Sequence, residues 1–226
     1  MKRSVLVTGA SKGIGRAIAL RLAGDFDIFA LARSEAGLRS LGAEVAAGGG
    51  NFTAIDVDLR DPAAIATALE GIHCDVVINN AGVMHKKAFI DLTPDEWSEM
   101  IDVNFNAIYH VTRAMLPGMI AQGSGHIINV ASIAGRSAFV GGTGYAATKH
   151  AVLGLSECLL LEVREYGVKV STIMPGSVAT GLFPAGTDLS WMLQPEDVAE
   201  TVAQVLAMPA HALTFNIEVR AAQPRK

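Results

Sequence analysis

Three side chains in one stretch of the sequence carry groups that can move a proton together. They are the hydroxyl of Ser132, the phenol of Tyr145 and the amine of Lys149. Tyr145 and Lys149 stand four residues apart, so a helix over 144–166 stacks them on one face. Ser132 follows the apolar run 126–130. A strand ending there puts it at a carboxyl end, where open α/β sheets bind ligands. A phenol loses its proton near pH ~10. A cation held beside it lowers that value and makes it a usable general acid or base.

A cofactor site beside that phenol requires backbone that can hold phosphate. Residues 5–8 form a short apolar and β-branched run, followed by Thr8-Gly9-x-x-x-Gly13-x-Gly15 and by Ile18, Ala19 and Leu22 at helical spacing. This is a strand, a glycine turn and a helix start, whose free N–H groups bind a pyrophosphate. It is neither the usual G-x-G-x-x-G nor a P-loop, since the G-K-[ST] ending is absent. After the second strand, 27–32, an NAD site places a carboxylate that accepts from the ribose 2′-OH. This chain has Arg33 and no acid at 30–34, with Lys12 inside the turn. Two cations neutralise a 2′-phosphate, whereas NAD would leave them without a partner. NADP(H) is therefore favoured over NAD(H). Asp58, after the third strand, reads about equally as an acceptor for the adenine amino group and as a turn residue.

The elements that must position these groups alternate along the chain. Strands are expected at 5–8, 27–32, 51–57, 74–78, 126–130, 168–174 and 214–220, with helices at 16–23, 35–47, 95–122, 144–166 and 195–208. Asp61 and Pro62 read as the N-cap and first residue of a further helix. Strands alternating with helices imply right-handed βαβ units and a parallel sheet. Asn104 and Asn106 interrupt 95–122, where asparagine is a poor helix former, and mark a site or a bent turn. Residues 181–193 (GLFPAGTDLSWML) have the composition of a lid over an apolar ligand, or of a partner-binding loop. Phe183 and Trp191 there, with Phe139 and Val140 before Tyr145, are expected to line an apolar substrate pocket.

Bulk properties exclude several classes. The chain has 226 residues, half of them hydrophobic, and a net charge of −4, so no affinity for nucleic acid is implied. No apolar run reaches the length of a membrane span. The three apolar residues after Met1-Lys-Arg-Ser are too few for a signal peptide, and a cytoplasmic location is the expectation. Cys74 and Cys158 read as buried thiols. No histidine or cysteine spacing matches a metal site. His85, Lys86 and Lys87 are read as a solvated loop rather than as recruiters of an anionic substrate or a carrier phosphopantetheine. His150 points away from the Tyr145–Lys149 face.

Together the motifs Thr8-Gly9-x-x-x-Gly13-x-Gly15, Asn79-Asn80-Ala81-Gly82, Asn104, Ser132, Tyr145-x-x-x-Lys149 and Pro175-Gly176-x-Val178-x-Thr180 resemble the short-chain dehydrogenase/reductase family, in order and over nearly the whole chain. The resemblance implies a single-domain, Rossmann-like, doubly wound α/β fold. Its seven-stranded parallel sheet would have the order 3-2-1-4-5-6-7, with helices on both faces. It implies a catalytic tetrad of Asn104, Ser132, Tyr145 and Lys149, in which Lys149 lowers the Tyr145 pKa and Asn104 holds a water. Lys12 and Arg33 match the cation pair of NADP-preferring members. Further cofactor contacts are expected from Gly9, Ser11, Gly13, Ile14 and Gly15, from Ser34, Asp58 and Leu59, from Asn80, Ala81 and Gly82, and from Pro175, Gly176, Val178 and Thr180. The implied reaction is hydride transfer between NADP(H) and a carbonyl or secondary alcohol in a small molecule such as a ketone or 3-oxoacyl compound. A non-catalytic NADP(H)-binding regulator and an epimerase or dehydratase of the same family are the alternatives. Family members are usually homotetramers or homodimers. The glycine-containing ending common in the family is absent from NIEVRAAQPRK.

Overall fold

Most of the strands are runs of apolar residues too continuous to leave a solvent face. In the computed structural model, which describes residues 2–182 and 186–223, they are β1 (Arg3–Thr8), β2 (Phe26–Ala32), β3 (Phe52–Asp56), β4 (Val76–Asn79), β5 (Gly125–Val130), β6 (Val168–Pro175) and β7 (Ile217–Val219). They form one parallel sheet in the order β3-β2-β1-β4-β5-β6-β7. Alternate residues feed two cores. Val5 and Val7 pack with α1 (Gly13–Leu22), α2 (Glu35–Ala47) and α7 (Pro195–Leu206) on one face. Leu6, Val77, Ile127 and Val170 pack with α3 (Pro62–Leu69), α5 (Ala107–Gln122) and α6 (Thr143–Val163) on the other. Asp61 caps α3 by accepting from the amides of Ala63 and Ala64, with Pro62 next to it.

Three expectations change. The helix expected over 95–122 is two helices, α4 (Pro94–Ile101) and α5, joined by a π-helical turn at Asp102–Asn106. The wider turn fits the placement of Asn104, whose side chain bonds across to other elements instead of continuing a regular helix face. Asn106 donates to Asp102 within that turn, 2.8 Å away, and marks the bend rather than a ligand contact. The last strand is shorter than 214–220, because Asn216 sits at φ 58°, in left-handed space that breaks extended backbone. Of the two cysteines only Cys74 is buried, its thiol pushed up to about 12 by that burial; Cys158 is exposed on the outer side of α6.

Parallel strands place all their carboxyl ends on one edge of the sheet, and that edge carries the candidate site. No helix among the described residues is long and apolar enough to cross a membrane. Ile127 lies at the centre of the second core with no exposed surface. Its truncation to Ala should cost about 2–5 kcal/mol, read as a lower urea midpoint with an unchanged slope. A loss below about 0.5 kcal/mol would mean that the sheet is not sealed on that face.

Candidate active site

Thr8, the last residue of β1, ties two loops together. Its Oγ1 accepts from the backbone amides of Asn80 (2.9 Å) and Ala81 (3.0 Å), and its carbonyl accepts from the Asn80 side chain at 2.9 Å. The turn after β1 is thereby held against the turn after β4. Gly9 is required at this junction: it has φ 66°, and a Cβ there would stand 2.9 Å from the Cα of Ala81. Gly15 has a different reason. A Cβ on it would meet the Asn80 side chain and the Gly9 carbonyl, both at 2.5 Å, so it lets α1 pass close to both turns.

Between these turns and the loops after β2, β3, β5 and β6 lies a cavity of about 1120 Å³. Its walls include Gly9, Ser11, Lys12, Gly13 and Ile14; Arg33, Ser34, Asp58 and Leu59; Asn80, Ala81 and Gly82; and Pro175, Gly176, Val178 and Thr180. Ser132, Phe139, Tyr145 and Lys149 line it too. Gly15 and Asn104 stand behind the wall rather than in it. Trp191 does not line it either, although the same loop is pinned to the wall residue Val178 by a bridge from Leu193. Val140 is almost fully exposed and points elsewhere. Phe183 lies outside the described residues. The loop at 85–87 is not simply solvated. His85 and Lys86 line the cavity, while His85 Nε2 lies 2.8 Å from the Glu99 carboxylate and Lys87 forms an ion pair of 2.5 Å with Glu96. His150 is exposed, and its ring meets the carbonyl of Ala146.

The four residues expected to do the chemistry meet at one end of this cavity. Ser132 follows β5; its Oγ accepts from the amide of Ala134 at 3.1 Å, which caps the short turn Ile133–Gly135. Lys149 reaches from α6 to the end of β5 and donates to the carbonyl of Val130 at 2.9 Å. Its Nζ lies 5.7 Å from the centre of the Tyr145 ring, and the Phe139 ring lies 6.5 Å from that ring. Asn104 is fully buried and uses its side-chain amide as a substitute for backbone. Its Oδ1 accepts from the Val83 amide (2.8 Å), and its Nδ2 donates to the Val83 carbonyl (2.9 Å) and to Thr148 Oγ1 (3.1 Å). The Thr148 hydroxyl in turn donates to the Tyr145 carbonyl at 2.7 Å. A Cβ on Gly82 would stand 3.5 Å from Asn104 Oδ1 and 3.8 Å from Lys149 Nζ, so these three groups share one corner.

Burial dominates the electrostatics of this corner. It pulls the Lys149 ammonium down to about 8, and it pushes the Tyr145 phenol above its ordinary value, with Ser132 beside it working in the opposite direction. In the protein alone the Tyr145 pKa is raised, and no lowering by Lys149 contributes to it. The ammonium donates to the Val130 carbonyl, and the group that works against the burial of the phenol is Ser132. Thr148 and Arg60 are the contributors that reading the sequence missed. Thr148 follows no motif. Arg60 stands two residues after Asp58 and binds its carboxylate at 2.5 Å, a spacing within one turn that was open to view.

Comparison with known proteins follows this geometry. A family model described as short chain dehydrogenase matches residues 3–188. The chain is 34% identical to oxidoreductase UcpA of Escherichia coli (strain K12) over 225 residues, covering 96% of this chain and 84% of that protein. It is similar to a metagenomic short-chain oxidoreductase solved in complex with NADP, with a TM-score of 0.88, 33% identity and 98% of each chain covered. An alcohol dehydrogenase from the archaeon Thermococcus sibiricus, complexed with 5-hydroxy-NADP, superposes with a TM-score of 0.92 at 27% identity, over 100% of this chain and 99% of that one.

The low pKa of Lys149 has a consequence for stability. The folded chain releases this proton near pH 8 and the unfolded chain at 10.5. Between those values the unfolded chain binds more protons, so stability rises with pH across the window. The cost of burying the charge is complete below about pH 8 and absent above 10.5. Lys149→Met should therefore exceed wild type in stability near pH 7 by up to about 3 kcal/mol. The gap should close as the pH rises to about 10, measured by urea unfolding of both proteins. A gap independent of pH would show that the amine carries no burial penalty.

Proposed function

The chain belongs to the short-chain dehydrogenase family, and on that premise we propose that it transfers hydride between NADP(H) and a carbonyl or secondary alcohol, with the Tyr145 hydroxyl as proton donor and acceptor. The observation that carries this reading is a single cavity with two chemically distinct ends. Lys12 and Arg33 line one end; Ser132, Tyr145 and Lys149 line the other. A dinucleotide phosphate fits what lies between. Gly9 and Gly13 take φ 66° and 55°, which brings bare backbone to the cavity wall, and the first amides of α1 start there. A volume of about 1120 Å³ leaves room for a small substrate beside a cofactor. Arg33 and Lys12 would hold the 2′-phosphate, the glycine turn the pyrophosphate, and Lys149 the nicotinamide ribose. When bound, the cofactor supplies or accepts the hydride.

The protein supplies orientation and a proton. In reduction, Ser132 Oγ donates a hydrogen bond to the substrate oxygen. Tyr145 Oη gives that oxygen its proton as negative charge develops on it, and in oxidation it takes the proton back. A neutral phenol is ready to donate, and the Lys149 ammonium beside it would stabilise the phenolate that remains. Asn104 and Thr148 act behind these groups. They fix the loop at Val83 and the backbone of Tyr145, so the phenol is aimed by the protein and not by the ligand. Phe139, Met84 and Leu182 give the substrate end an apolar lining, which suits a medium-sized ketone or oxoacyl compound.

Tyr145→Phe removes the transferable proton and little else. Turnover of the best substrate from a panel of ketones, quinones and β-ketoacyl compounds should fall about 10²–10⁴-fold. The Kd for NADPH should stay within about twofold, followed by nicotinamide fluorescence. Retention of wild-type turnover would overturn the assignment of the acid. Arg33→Asp reverses the charge that meets the 2′-phosphate. The ratio of kcat/KM for NADPH to that for NADH should drop by about 10²-fold or more, and an unchanged ratio would sink the cofactor assignment.

A further inference from the structure

The phosphate end of the cavity holds an acid where an anion must bind. Asp58 lines the wall beside Arg33, and the two side chains are 4.0 Å apart. Left to each other, they would tighten this loose ion pair, and the guanidinium would be half spent before any phosphate arrived. A third residue prevents this. Arg60 grips the Asp58 carboxylate with Nε at 3.1 and 3.0 Å from its two oxygens and Nη2 at 2.5 Å from one of them. Its backbone amide adds a bond of 3.0 Å. This is the planar fork on a carboxylate that only arginine can make. The Asp58 carboxyl is held below its ordinary value, with the Arg60 side-chain bond as the largest cause and the charge of Arg33 as the smallest. Glu99 and Asp102 also act on the charge of Arg60, and Glu99 lines the same cavity.

Arg60 itself is not part of the cavity wall. It stands behind Asp58, half exposed, amid three carboxylates. Resting on the NADP reading above, we propose that Arg60 is a positioning residue for cofactor selectivity. It takes the Asp58 carboxylate into its own fork and so leaves Arg33 free for the adenosine 2′-phosphate. The reason is electrostatic. A 2′-phosphate brings close to two negative charges to a wall that already carries Asp58 and Glu99. Lys12 and Arg33 balance it only if the acid between the loops is compensated from behind. Without Arg60, Asp58 turns to Arg33, cancels it and repels the phosphate. A 2′-hydroxyl, being neutral, feels little of this change.

The experiment is calorimetric and needs no turnover. Binding of 2′,5′-ADP and of 5′-ADP is measured for wild type, Arg60→Ala, the double variant Arg60→Ala/Asp58→Asn, and Arg33→Ala. In Arg60→Ala the preference for 2′,5′-ADP should fall about tenfold, with 5′-ADP binding changed by less than about threefold. The double variant should recover most of that preference, because the repelling charge is gone. An unchanged preference in Arg60→Ala overturns the inference. So does a double variant as weak as the single one, since the loss would then not run through Asp58. Arg33→Ala separates the two levels. If it abolishes the preference while Arg60→Ala keeps it, only the role of Arg60 fails. If it too leaves the preference intact, the NADP reading of this wall fails.

Discussion

The site depends on one buried ammonium. Lys149 has 3% of its surface exposed, and its Nζ donates to the carbonyl of Val130 at the end of β5. Burying a charge is costly, and the cost is bearable here because a parallel sheet ends in carbonyls that can turn to side chains. The lysine comes from α6 and the carbonyl from β5, so the bond fixes the helix bearing Tyr145 against the strand that leads to Ser132. Gly82 and the amide of Asn104 border the charge on one side, and the cavity borders it on another. The same burial that lowers the lysine pKa raises that of the phenol. One desolvated corner therefore sets the resting state of both groups.

Precision at this corner comes from amide and hydroxyl side chains that imitate backbone. Asn104 pairs with both the amide and the carbonyl of Val83, as a neighbouring strand would. Thr8 does similar work for the turn at Asn80 and Ala81. Beneath them, Asn79 bonds to Asn129 and Asn129 to Ser156, which ties β4 and β5 to α6 inside the sheet. Loops at the carboxyl edge have no ladder of their own. A buried polar atom must find a partner, so these side chains leave the loops few alternatives. The π-helical turn at Asp102–Asn106 fits the same need, because it accompanies the aim of Asn104 at the loop rather than along the helix face.

The opposite end of the cavity is organised by compensation rather than burial. Arg33, Asp58 and Arg60 are all partly exposed, and solvent weakens each pair there. Their effect on one another comes from arrangement: the stronger fork of Arg60 decides which cation Asp58 neutralises. A cavity with Ser132, Tyr145 and Lys149 at one end and Lys12 and Arg33 at the other suits a long ligand with a phosphate tail and a reactive head.

Much of this was legible along the chain. Strand runs, glycine turns and the four-residue step from Tyr145 to Lys149 are local patterns, and local patterns determine strands, turns and helix faces. The sheet order follows from short right-handed connections, so the fold and the grouping of Ser132, Tyr145, Lys12 and Arg33 in one cavity were within reach of the sequence. Other features were decided only when the chain closed on itself. Trp191 reads as a pocket residue, but it is not in the cavity wall, and the loop reaches that wall through the pairing of Leu193 with Val178. Asn104 reads as a site residue or a bent turn within a long helix, but its partners Val83 and Thr148 come from segments that the spacing does not name. Lys149 reads as a cation that acidifies a phenol, yet the burial of Tyr145 raises that phenol and the burial of Lys149 lowers the amine. In each case the outcome depends on how much water and which partner atoms remain nearby. Those are properties of packed surfaces from distant segments, which no spacing in one segment contains.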